Sequence, residues 1–160
     1  MPVRIVLSGA TGRMGQTLAR MIHEDPALEL AGGIGKMPEP ACEVGCPVVE
    51  TPETAGEWIR NADVVVDFSA PELLRRILEM HGDTLAGKAL VVGTTGLGEG
   101  ERGLLAQAAE RAAVLVAANF SVGVNLLLAL AEQAARVLGD DYDVEITEAH
   151  HRRKVDAPSG

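Results

Sequence analysis

The stretch Val3–Gly15, VRIVLSGATGRMG, decides the fold of this 160-residue chain. It opens with a short apolar run rich in β-branched residues, Val3, Ile5, Val6 and Leu7, which is typical of a buried strand. Three glycines, Gly9, Gly12 and Gly15, follow at the spacing GxxGxxG, and a helical pattern begins directly after them. A strand, a glycine turn and a helix in this order predict the phosphate-binding turn of a dinucleotide site.

Each glycine of this turn has its own expected role. Gly9 permits the tight turn, Gly12 lets a pyrophosphate approach the backbone, and Gly15 lets the helix pack closely on the strand. The free N–H groups at the start of the helix then face the anion. The alternative is a structural turn that needs glycines for packing alone. The apolar helix positions expected to share one face are Met14, Leu18, Met21 and Ile22.

Composition and charge exclude several classes of function. With a formal net charge of −9, the chain lacks the basic surface that non-specific nucleic-acid binding needs. One Trp, one Tyr and two Phe residues offer no stacking platform for single strands. We expect no membrane span, because polar residues interrupt the apolar stretch Val122–Leu138. The interrupting residues are Asn125, Glu132, Gln133 and Arg136. The N-terminus shows no signal peptide pattern, so we expect a cytoplasmic protein.

The two cysteines do not indicate a metal centre. Cys42 and Cys46 form a CxxxC pair in a loop rich in proline and glycine. A zinc site needs more ligands than this pair supplies, and a disulfide is unusual in a cytosolic protein. We therefore expect two free thiols and no bound metal.

Strands and helices alternate along the first 120 residues. Beyond the first strand, strands are expected at Leu28–Ile34, Val48–Val49, Val64–Phe68, Ala89–Val92 and Val114–Ala117. Helices are expected at Glu53–Asn61, from a cap at Ser69 to about Gly82, and at Glu99–Ala113. This alternation predicts an α/β fold with a doubly wound parallel sheet and right-handed crossovers.

Ligands of such sheets lie at the carboxyl ends of the strands, where four loops of this chain are expected to meet. These loops are Gly9–Gly15, Ser69–Ala70, Gly93–Gly96 and Asn119–Ser121. The loop Gly93–Gly96, GTTG, combines open backbone with two hydroxyls, which suit an amide or a ribose. The alternative for each loop is turn chemistry alone, and their common placement favours function.

The end of the strand Leu28–Ile34 is expected to reach the adenosine ribose of the cofactor. An acidic residue there selects NAD, whereas a basic residue accommodates the 2′-phosphate of NADP. Gly35 and Lys36 occupy this position, which therefore holds a cation and no carboxylate. This pattern favours NADPH, or the use of both cofactors; the alternative is an exposed loop lysine.

The pattern changes at Ser121, where we expect a boundary between a domain of residues 1–120 and the beginning of a second domain, residues 121–160. The segment Val122–Leu138 predicts a long, well-buried helix that ends at Gly139, because apolar residues recur at i, i+3 and i+4. The segment Asp143–Glu148 alternates apolar and charged residues, which predicts a strand with one wet face.

A basic cluster closes the chain. His150–Lys154, HHRRK, suits a small polyanionic substrate and offers proton donors, because lysine is protonated and histidine titrates near neutral pH. Ser159 resembles the cap of a further helix, whose start would bind a carboxylate. The alternatives are a charged surface loop and a metal site at the two histidines, for which no third ligand stands at a useful spacing.

Five motifs, in order along the chain, resemble the dihydrodipicolinate reductase family: GATGRMG, VDFSAPE, VVGTTG, AANFSVGVNLLL and EAHHRRKVDAPSG. The last motif is the specific one, since many dehydrogenases share the glycine turn. The resemblance implies a Rossmann-like dinucleotide-binding domain followed by the start of an α+β substrate and tetramerisation domain. It also implies reduction of the cyclic dicarboxylate 4-hydroxy-tetrahydrodipicolinate with NADPH or NADH, in lysine and diaminopimelate biosynthesis.

The resemblance also implies roles for individual residues. His150 matches the catalytic histidine of the family and Lys154 its proton-donating lysine. His151, Ser159 and Gly160 match residues that contact the substrate carboxylates. The residues that match the family's cofactor-binding positions are Gly9, Ala10, Thr11, Gly12, Arg13, Met14, Gly93, Thr94, Thr95, Ala117, Ala118, Asn119 and Phe120.

Two departures from the family pattern affect these expectations. Gly35 stands where the family often has an acidic residue, which leaves the cofactor preference open. Family members continue beyond the position of Gly160 and form tetramers, so we expect weak turnover or none from this chain.

Two other functions are compatible with the fold. One is a module that binds NAD(P)H without chemistry, and the other is a different dehydrogenase, of the homoserine or aspartate type. The HHRRK cluster argues against the first, and the complete terminal motif argues against the second.

Overall fold

The computed structural model describes residues 1–35, 48–49 and 51–149. The expectations for Lys36, Cys42, Cys46 and His150–Gly160 therefore lie outside the described residues. The chain forms two compact units, Met1–Ala117 and Ala118–Gly160, which are described separately below.

The first unit is built around six parallel strands in the order β3-β2-β1-β4-β5-β6. The strands are β1 (Val3–Ser8), β2 (Leu28–Ile34), β3 (Val48–Val49), β4 (Val64–Asp67), β5 (Ala89–Val92) and β6 (Ala113–Val116). The helices are α1 (Arg13–Glu24), α2 (Gly56–Asn61), α3 (Pro71–His81) and α4 (Glu99–Ala109). This order confirms the predicted doubly wound sheet, whose order of strands reverses beside β1.

The register of the sheet brings three strand ends level with one another. Ser8, the last residue of β1, pairs with Asp67, the last residue of β4. Asp67 in turn pairs with Val92, the last residue of β5. Because all three strands run parallel, the loops that follow them leave the sheet at one edge, which is the edge where such sheets bind ligands.

Side chains on both faces of the sheet are buried. On one face, Val6 belongs to a large core cluster to which the helices α2, α3 and α4 contribute. On the other face, Leu7 packs with Ala10 and with Ala19 of α1. Successive strand residues point to opposite faces, so a continuous apolar run such as β1 serves both clusters.

The buried face of α1 differs from the predicted one. Gly15, Ala19 and Ile22 are buried, whereas Met14 and Met21 are 48% and 60% exposed. Of the other predicted positions, Leu18 packs at the edge of the smaller cluster. The small residues lie underneath because the start of α1 approaches the glycine turn too closely for a larger side chain, and this rotates the methionines outward.

Two predicted helices are shorter than expected. The segment Glu53–Asn61 is divided between a 3-10 turn, Pro52–Thr54, and α2. The helix α4 ends at Ala109 rather than at Ala113, because the N–H of Ala113 already donates to Lys88 O at 2.9 Å and so starts β6. Pairing with a neighbouring strand therefore ends the helical pattern earlier than the local sequence indicates.

The second unit contains one long helix, α5 (Val122–Leu138), with the predicted bounds. The Ser121 hydroxyl accepts a hydrogen bond from the N–H of Val124 at 3.4 Å, and Gly139 ends the helix at φ +65°. The prediction that α5 is well buried is wrong: none of its residues is buried. Its leucines Leu126, Leu127, Leu128 and Leu130 are 53 to 65% exposed.

The expectation about membrane spans also needs correction. By length and composition alone, the 20 residues Val122–Asp141 could cross a membrane. The polar interruptions are too few to exclude a span on that criterion, since only Glu132 and Arg136 are charged within α5. Length and apolar composition are also found in core helices of soluble proteins, so they do not by themselves indicate a membrane protein.

The strand predicted at Asp143–Glu148 is absent, because residues 143–149 have no regular secondary structure. Val144 and Ile146, the apolar residues of the alternating pattern, are 68% and 90% exposed. A strand needs the backbone of a neighbour to pair with, and the described residues of this unit provide no such neighbour.

Candidate functional site

The glycine turn after β1 is tied to the end of β2. Gly9 adopts φ +80°, a left-handed conformation that glycine tolerates best. The N–H groups of Gly9 and Ala10 both donate to Ile34 O, at 2.8 and 3.1 Å. The N–H of Gly12 turns back to Gly9 O at 2.9 Å. The predicted role of Gly9 in the tight turn is thus confirmed, and the turn has a fixed shape.

At the amino-terminal end of α1, three backbone N–H groups have no acceptor among the described residues. Gln16 N–H is the first to reach an intrahelical acceptor, Gly12 O at 2.9 Å. The N–H groups of Arg13, Met14 and Gly15 precede it and have no acceptor within the helix. The N-cap Gly12 brings no side chain to these donors. A phosphate would complete this helix end, because it accepts from several N–H groups and is attracted by the helix dipole.

The three glycines differ in what a side chain would meet. A Cβ atom at Gly12 would touch only Gly9 O, at 3.2 Å, so its surroundings are otherwise open. A Cβ atom at Gly15 would overlap Gly9 O and lie 2.7 Å from the Ala10 backbone. Gly15 therefore permits close contact between α1 and the turn that directly follows β1.

A buried carboxylate, absent from the sequence predictions, lies at the end of β4. Asp67 is fully buried, and both of its carboxylate oxygens accept hydrogen bonds. The Ser69 hydroxyl donates to Oδ1 at 2.6 Å, and the Thr94 hydroxyl donates to Oδ2 at 2.5 Å. The N–H of Ser69 donates to Thr94 Oγ1 at 2.8 Å. We call Asp67, Ser69 and Thr94 the Asp67 cluster.

The electrostatics of the Asp67 cluster reflect its burial. Loss of hydration raises the pKa of the Asp67 carboxyl, while nearby hydroxyls oppose that rise by favouring the charged form. These hydroxyls belong to Ser69, Ser8 and Thr94. The Ser8 hydroxyl lies close to the carboxylate, but it is buried without a hydrogen bond of normal geometry to any described residue. This cluster is therefore polar, largely buried and organised around the carboxylate of Asp67.

Ser69 does not cap α3, contrary to the prediction. The N-cap residue is Ala70, and no side chain caps the helix. Ser69 lies one residue before the N-cap position, and its hydroxyl donates to the buried carboxylate of Asp67. Pro71 occupies the first turn, as expected.

The loop after β5 lies directly beside the end of β4. The N–H of Gly93 donates to Asp67 O at 2.8 Å, and a Cβ atom at Gly93 would overlap the Phe68 ring. Thr94 is 6% exposed and its hydroxyl already serves the Asp67 cluster, whereas Thr95 is exposed. Of the two hydroxyls predicted for an amide or a ribose, only that of Thr95 is directed away from this cluster.

Phe68 lies between the glycine turn after β1 and the loop after β5, and it contacts both. A Cβ atom at Gly9 would overlap Phe68 O, while the Phe68 ring excludes one at Gly93. The structure thus brings the predicted residues Gly9–Met14 and Gly93–Thr95 to one edge of the sheet, with Phe68 between them. Sequence reasoning missed Asp67 and Phe68, although an aspartate at the end of the apolar strand VVVD is a recognisable signal.

Gly35, at the position predicted to meet the ribose, has little room for a side chain. A Cβ atom at Gly35 would lie 2.9 Å from Thr11 Oγ1 and 3.3 Å from Thr11 N. Any other residue would therefore displace the side chain of Thr11 in the glycine turn. The structure shows no carboxylate at residue 35, and Lys36 lies outside the described residues.

The remaining predicted residues belong to other parts of the chain. Ala117 N–H donates to Val92 O at 3.0 Å, which extends β6 along β5. Ala118, Asn119 and Phe120 belong to the second unit, where Asn119 Oδ1 accepts from Ser121 N–H at 2.7 Å. The predicted residues of the terminal motif, His150, His151, Lys154, Ser159 and Gly160, lie outside the described residues. Among the described residues, no group of three or more His, Cys, Asp or Glu side chains could hold a metal ion.

Comparison with known proteins identifies the family of this chain independently of its geometry. A family model described as dihydrodipicolinate reductase, N-terminus, matches residues 3–120. A second model, dihydrodipicolinate reductase, C-terminus, matches residues 123–160.

Curated relatives of the chain belong to the same family as the two family models. The chain is 43% identical, over 98% of its length, to a 4-hydroxy-tetrahydrodipicolinate reductase of Pseudomonas fluorescens. It is 42% identical, over its whole length, to the enzyme of that name from Methylococcus capsulatus. It spans 61 and 62% of the length of these two relatives.

The fold of a solved relative matches as well. A dipicolinate-bound dihydrodipicolinate reductase from Paenisporosarcina sp. TG-14 superimposes with a TM-score of 0.73 at 26% identity, covering 100% of this chain and 62% of that chain. The glycine turn, the level strand ends and both family models therefore lead to one conclusion: this chain belongs to the dihydrodipicolinate reductase family.

Proposed function

We propose that this chain carries the dinucleotide-binding domain, residues 1–120, and the start of the substrate domain, residues 121–160, of a 4-hydroxy-tetrahydrodipicolinate reductase. The observation that carries the proposal is the set of open N–H groups at Arg13, Met14 and Gly15, at the ligand-binding edge of the sheet, in a chain of this family. The two family models, which meet between residues 120 and 123, support the domain division.

The cofactor of the proposed reaction is a nicotinamide dinucleotide. The turn Gly9–Met14 would hold its pyrophosphate, because Gly12 permits a close approach. The N–H groups of Arg13, Met14 and the following Gly15 have no acceptor among the described residues and would bind it. Gly93, Thr94, Thr95 and Ala117–Phe120 would line the nicotinamide half. We propose a preference for NADPH, which is supported by the missing carboxylate at Gly35 and the cation Lys36 beside it.

The substrate of the proposed reaction is a small cyclic dicarboxylate. The relative from Paenisporosarcina sp. TG-14 was solved with dipicolinate, a flat dicarboxylate, bound. In this chain, His151, Ser159 and Gly160 would contact the carboxylates, since the terminal segment is rich in cations in an otherwise acidic protein.

Proton transfer is assigned to the terminal basic cluster. The species that is reduced would be dihydrodipicolinate, formed from 4-hydroxy-tetrahydrodipicolinate by loss of water. A bound nicotinamide dinucleotide would supply the hydride to one carbon of its conjugated double bonds. The negative charge left on the conjugated system must be stabilised, and the neighbouring carbon takes up one proton. Lys154 would donate that proton, and His150 would serve as the catalytic histidine. Both roles rest on the resemblance of EAHHRRKVDAPSG to the family motif.

The full-length enzyme is proposed to be a cytoplasmic homotetramer without membrane or nucleic-acid partners. The exposed leucines of α5 support association with other copies. The membrane alternative is disfavoured because residues 123–160 match the C-terminal part of an enzyme family and α5 carries Glu132 and Arg136.

A cofactor titration tests the proposed function. We expect the chain to bind NADPH more tightly than NADH, and pyridine-2,6-dicarboxylate to strengthen or alter that binding. A module that binds cofactor without chemistry would ignore the dicarboxylate, and a chain that binds neither nucleotide would refute the proposal. Lys36→Glu should weaken NADPH binding more than NADH binding, and equal losses would remove Lys36 from the argument.

A second experiment tests the proposed proton donor by measuring the rate of substrate reduction by the unchanged chain and by a variant. Lys154→Ala should lower kcat strongly and leave the affinity for cofactor nearly unchanged, because the ammonium acts on the substrate rather than on the nucleotide. An unchanged kcat would refute the assignment of Lys154.

A further inference from the structure

We propose that Asp67 is a positioning residue that uses the Thr94 hydroxyl to hold the loop Gly93–Gly96 in the shape that receives the nicotinamide half of the cofactor. This inference rests on the proposed function, because it assigns a purpose to one loop of the proposed dinucleotide site. Asp67 itself is buried beneath that loop and is not expected to touch the cofactor.

The hydrogen bonds of the Asp67 cluster have a fixed direction. The N–H of Ser69 can only donate, so Thr94 Oγ1 must accept at that contact. The proton of the Thr94 hydroxyl is then free to go to Asp67 Oδ2. The Ser69 hydroxyl supplies the proton for Oδ1. The Ser69 hydroxyl also lies 3.3 Å from Ala70 O, a longer contact than the one to Asp67. A carboxylate is required in this cluster because both of its oxygens must accept.

This arrangement joins two loops that are far apart in the sequence. Ser69 leaves β4 and Thr94 leaves β5, and Asp67 binds the hydroxyls of both. The backbone adds a third link, from Gly93 N–H to Asp67 O at 2.8 Å. With Thr94 held inward at 6% exposure, the backbone of the loop and the exposed Thr95 are presented at the ligand-binding edge. A loop held in its binding conformation loses less entropy when a ligand binds.

A positioning role for Asp67 has a different effect on ligand binding from a role in stabilising the fold alone. A general stabilising role would affect every part of the dinucleotide equally. A positioning role for the loop after β5 affects the nicotinamide half and leaves the adenosine and pyrophosphate half alone, because the glycine turn holds that half.

The test measures two dissociation constants for the full chain, one for NADPH and one for 2′-phospho-ADP-ribose, which lacks the nicotinamide. Asp67→Asn keeps the shape of the side chain but has one acceptor oxygen instead of two. We expect this variant to bind NADPH about tenfold more weakly, since a hydrogen bond to a charged group is lost. Its affinity for 2′-phospho-ADP-ribose should stay as in the unchanged chain.

The Thr94 hydroxyl provides a second variant pair, which also decides the outcome if Asp67→Asn does not fold. Thr94→Val removes the hydroxyl at constant shape and should repeat the selective loss of NADPH affinity. Thr94→Ser retains the hydroxyl, so this variant should keep most of the NADPH affinity of the unchanged chain. The matched control is Asp63→Asn, because Asp63 is an aspartate at the opposite end of the same strand, where its carboxylate accepts from Arg4 N–H at 2.8 Å. It should bind both ligands normally.

Each contrary result has its own meaning. If Asp67→Asn or Thr94→Val weakens both ligands equally, or if Thr94→Ser fails to restore binding, the positioning role is refuted. Normal NADPH binding by both variants would also refute it. If the unchanged chain binds neither ligand, the proposed function itself has failed, so the two failures are distinguishable.

Discussion

Gly93 has no room for a side chain, because Phe68, twenty-five positions earlier in the chain, packs against it. Its Cβ position is occupied by the aromatic ring of Phe68, and the Gly9 Cβ position is occupied by the carbonyl oxygen of the same residue. Both glycines therefore lack side chains because a neighbouring strand end fills the space. At this scale, the loops of the site keep their shape because each contact leaves no room for an additional carbon atom.

The first prediction concerns this contact. Gly93→Ala should lower the free energy of unfolding by about 1–3 kcal/mol, because the new methyl group must displace the Phe68 ring. Urea unfolding followed by circular dichroism measures the change. The matched control is Gly103→Ala in α4, where a Cβ meets nothing within 4 Å. It should stabilise the chain by about 0.4–1 kcal/mol, since alanine restricts the unfolded state more than glycine does. A stable Gly93→Ala variant would contradict the steric argument.

The second prediction concerns the pH dependence of stability. Burial raises the pKa of Asp67 above its ordinary value of 3.8, so the folded state holds the proton more tightly than the unfolded state. The stabilisation from that proton is complete below pH 3.8 and is lost as the pH rises through the folded-state pKa. The free energy of unfolding of the unchanged chain, minus that of Asp67→Asn, should therefore fall as the pH rises above the ordinary value of 3.8 and through the raised pKa of Asp67.

Measurement of urea unfolding at steps of pH checks this sign. Taking the difference between the two proteins cancels the titration of groups that both share, such as Glu53, whose pKa is lowered by hydrogen bonds to its backbone and to Thr51. A difference that rises with pH would mean that the hydroxyls around Asp67 outweigh its burial.

At the scale of elements, single side chains connect neighbouring strands and helices. Lys88, just before β5, donates through Nζ to Ala62 O at 2.6 Å and to Arg60 O at 2.9 Å. These carbonyls stand at the end of α2, where the last turn of a helix leaves acceptors without intrahelical donors. The ammonium of Lys88 therefore closes the end of α2 and connects it to the amino end of β5, with additional help from the helix dipole.

The third prediction tests that connection. Lys88→Met keeps the apolar stem and removes both hydrogen bonds, so it should lower the free energy of unfolding by about 1–3 kcal/mol. The control is Arg111→Met, whose partner Asp83 is 93% exposed and whose own side chain is 61% exposed. An exposed ion pair contributes at most about 1 kcal/mol. Equal effects in thermal or urea unfolding of the two variants would show that Lys88 has no special role.

At the scale of the whole molecule, the two units differ in how much apolar surface they bury. The first unit encloses a core on both faces of its sheet. The second unit has no buried residue in α5, although leucines and alanines make up much of that helix. Such a surface lowers its free energy when it associates with another protein surface.

The fourth prediction follows from this exposed helix and from the proposed tetramer. The chain should sediment as a species larger than a monomer. The double variant Leu127→Glu with Leu130→Glu should shift it towards the monomer, since both residues are more than half exposed and charge opposes their burial. The control is Met21→Glu on α1, at a residue of similar exposure in the first unit, which should leave the sedimentation unchanged. A monomeric unchanged chain would contradict the prediction.

The sequence by itself determined the layout of the first unit. Apolar runs such as Ile5–Leu7 predict strands because burial on both faces requires apolar side chains at successive positions. The alternation of such strands with helices predicts a parallel sheet. The glycine spacing predicts the phosphate turn because only glycine tolerates the conformation of Gly9 and the close contacts of Gly15. These are local properties, so a short stretch of sequence contains them.

Only the tertiary structure decided how the site is organised. The carboxylate of Asp67 accepts from the Ser69 hydroxyl and also from the Thr94 hydroxyl, which lies 27 positions further along the chain than Asp67. The outward rotation of Met14 and the missing strand at Asp143–Glu148 have the same origin, since each depends on what lies beside the segment. Hydrogen bonding and packing act between neighbours in space, and a pattern along the chain does not say which neighbours those are.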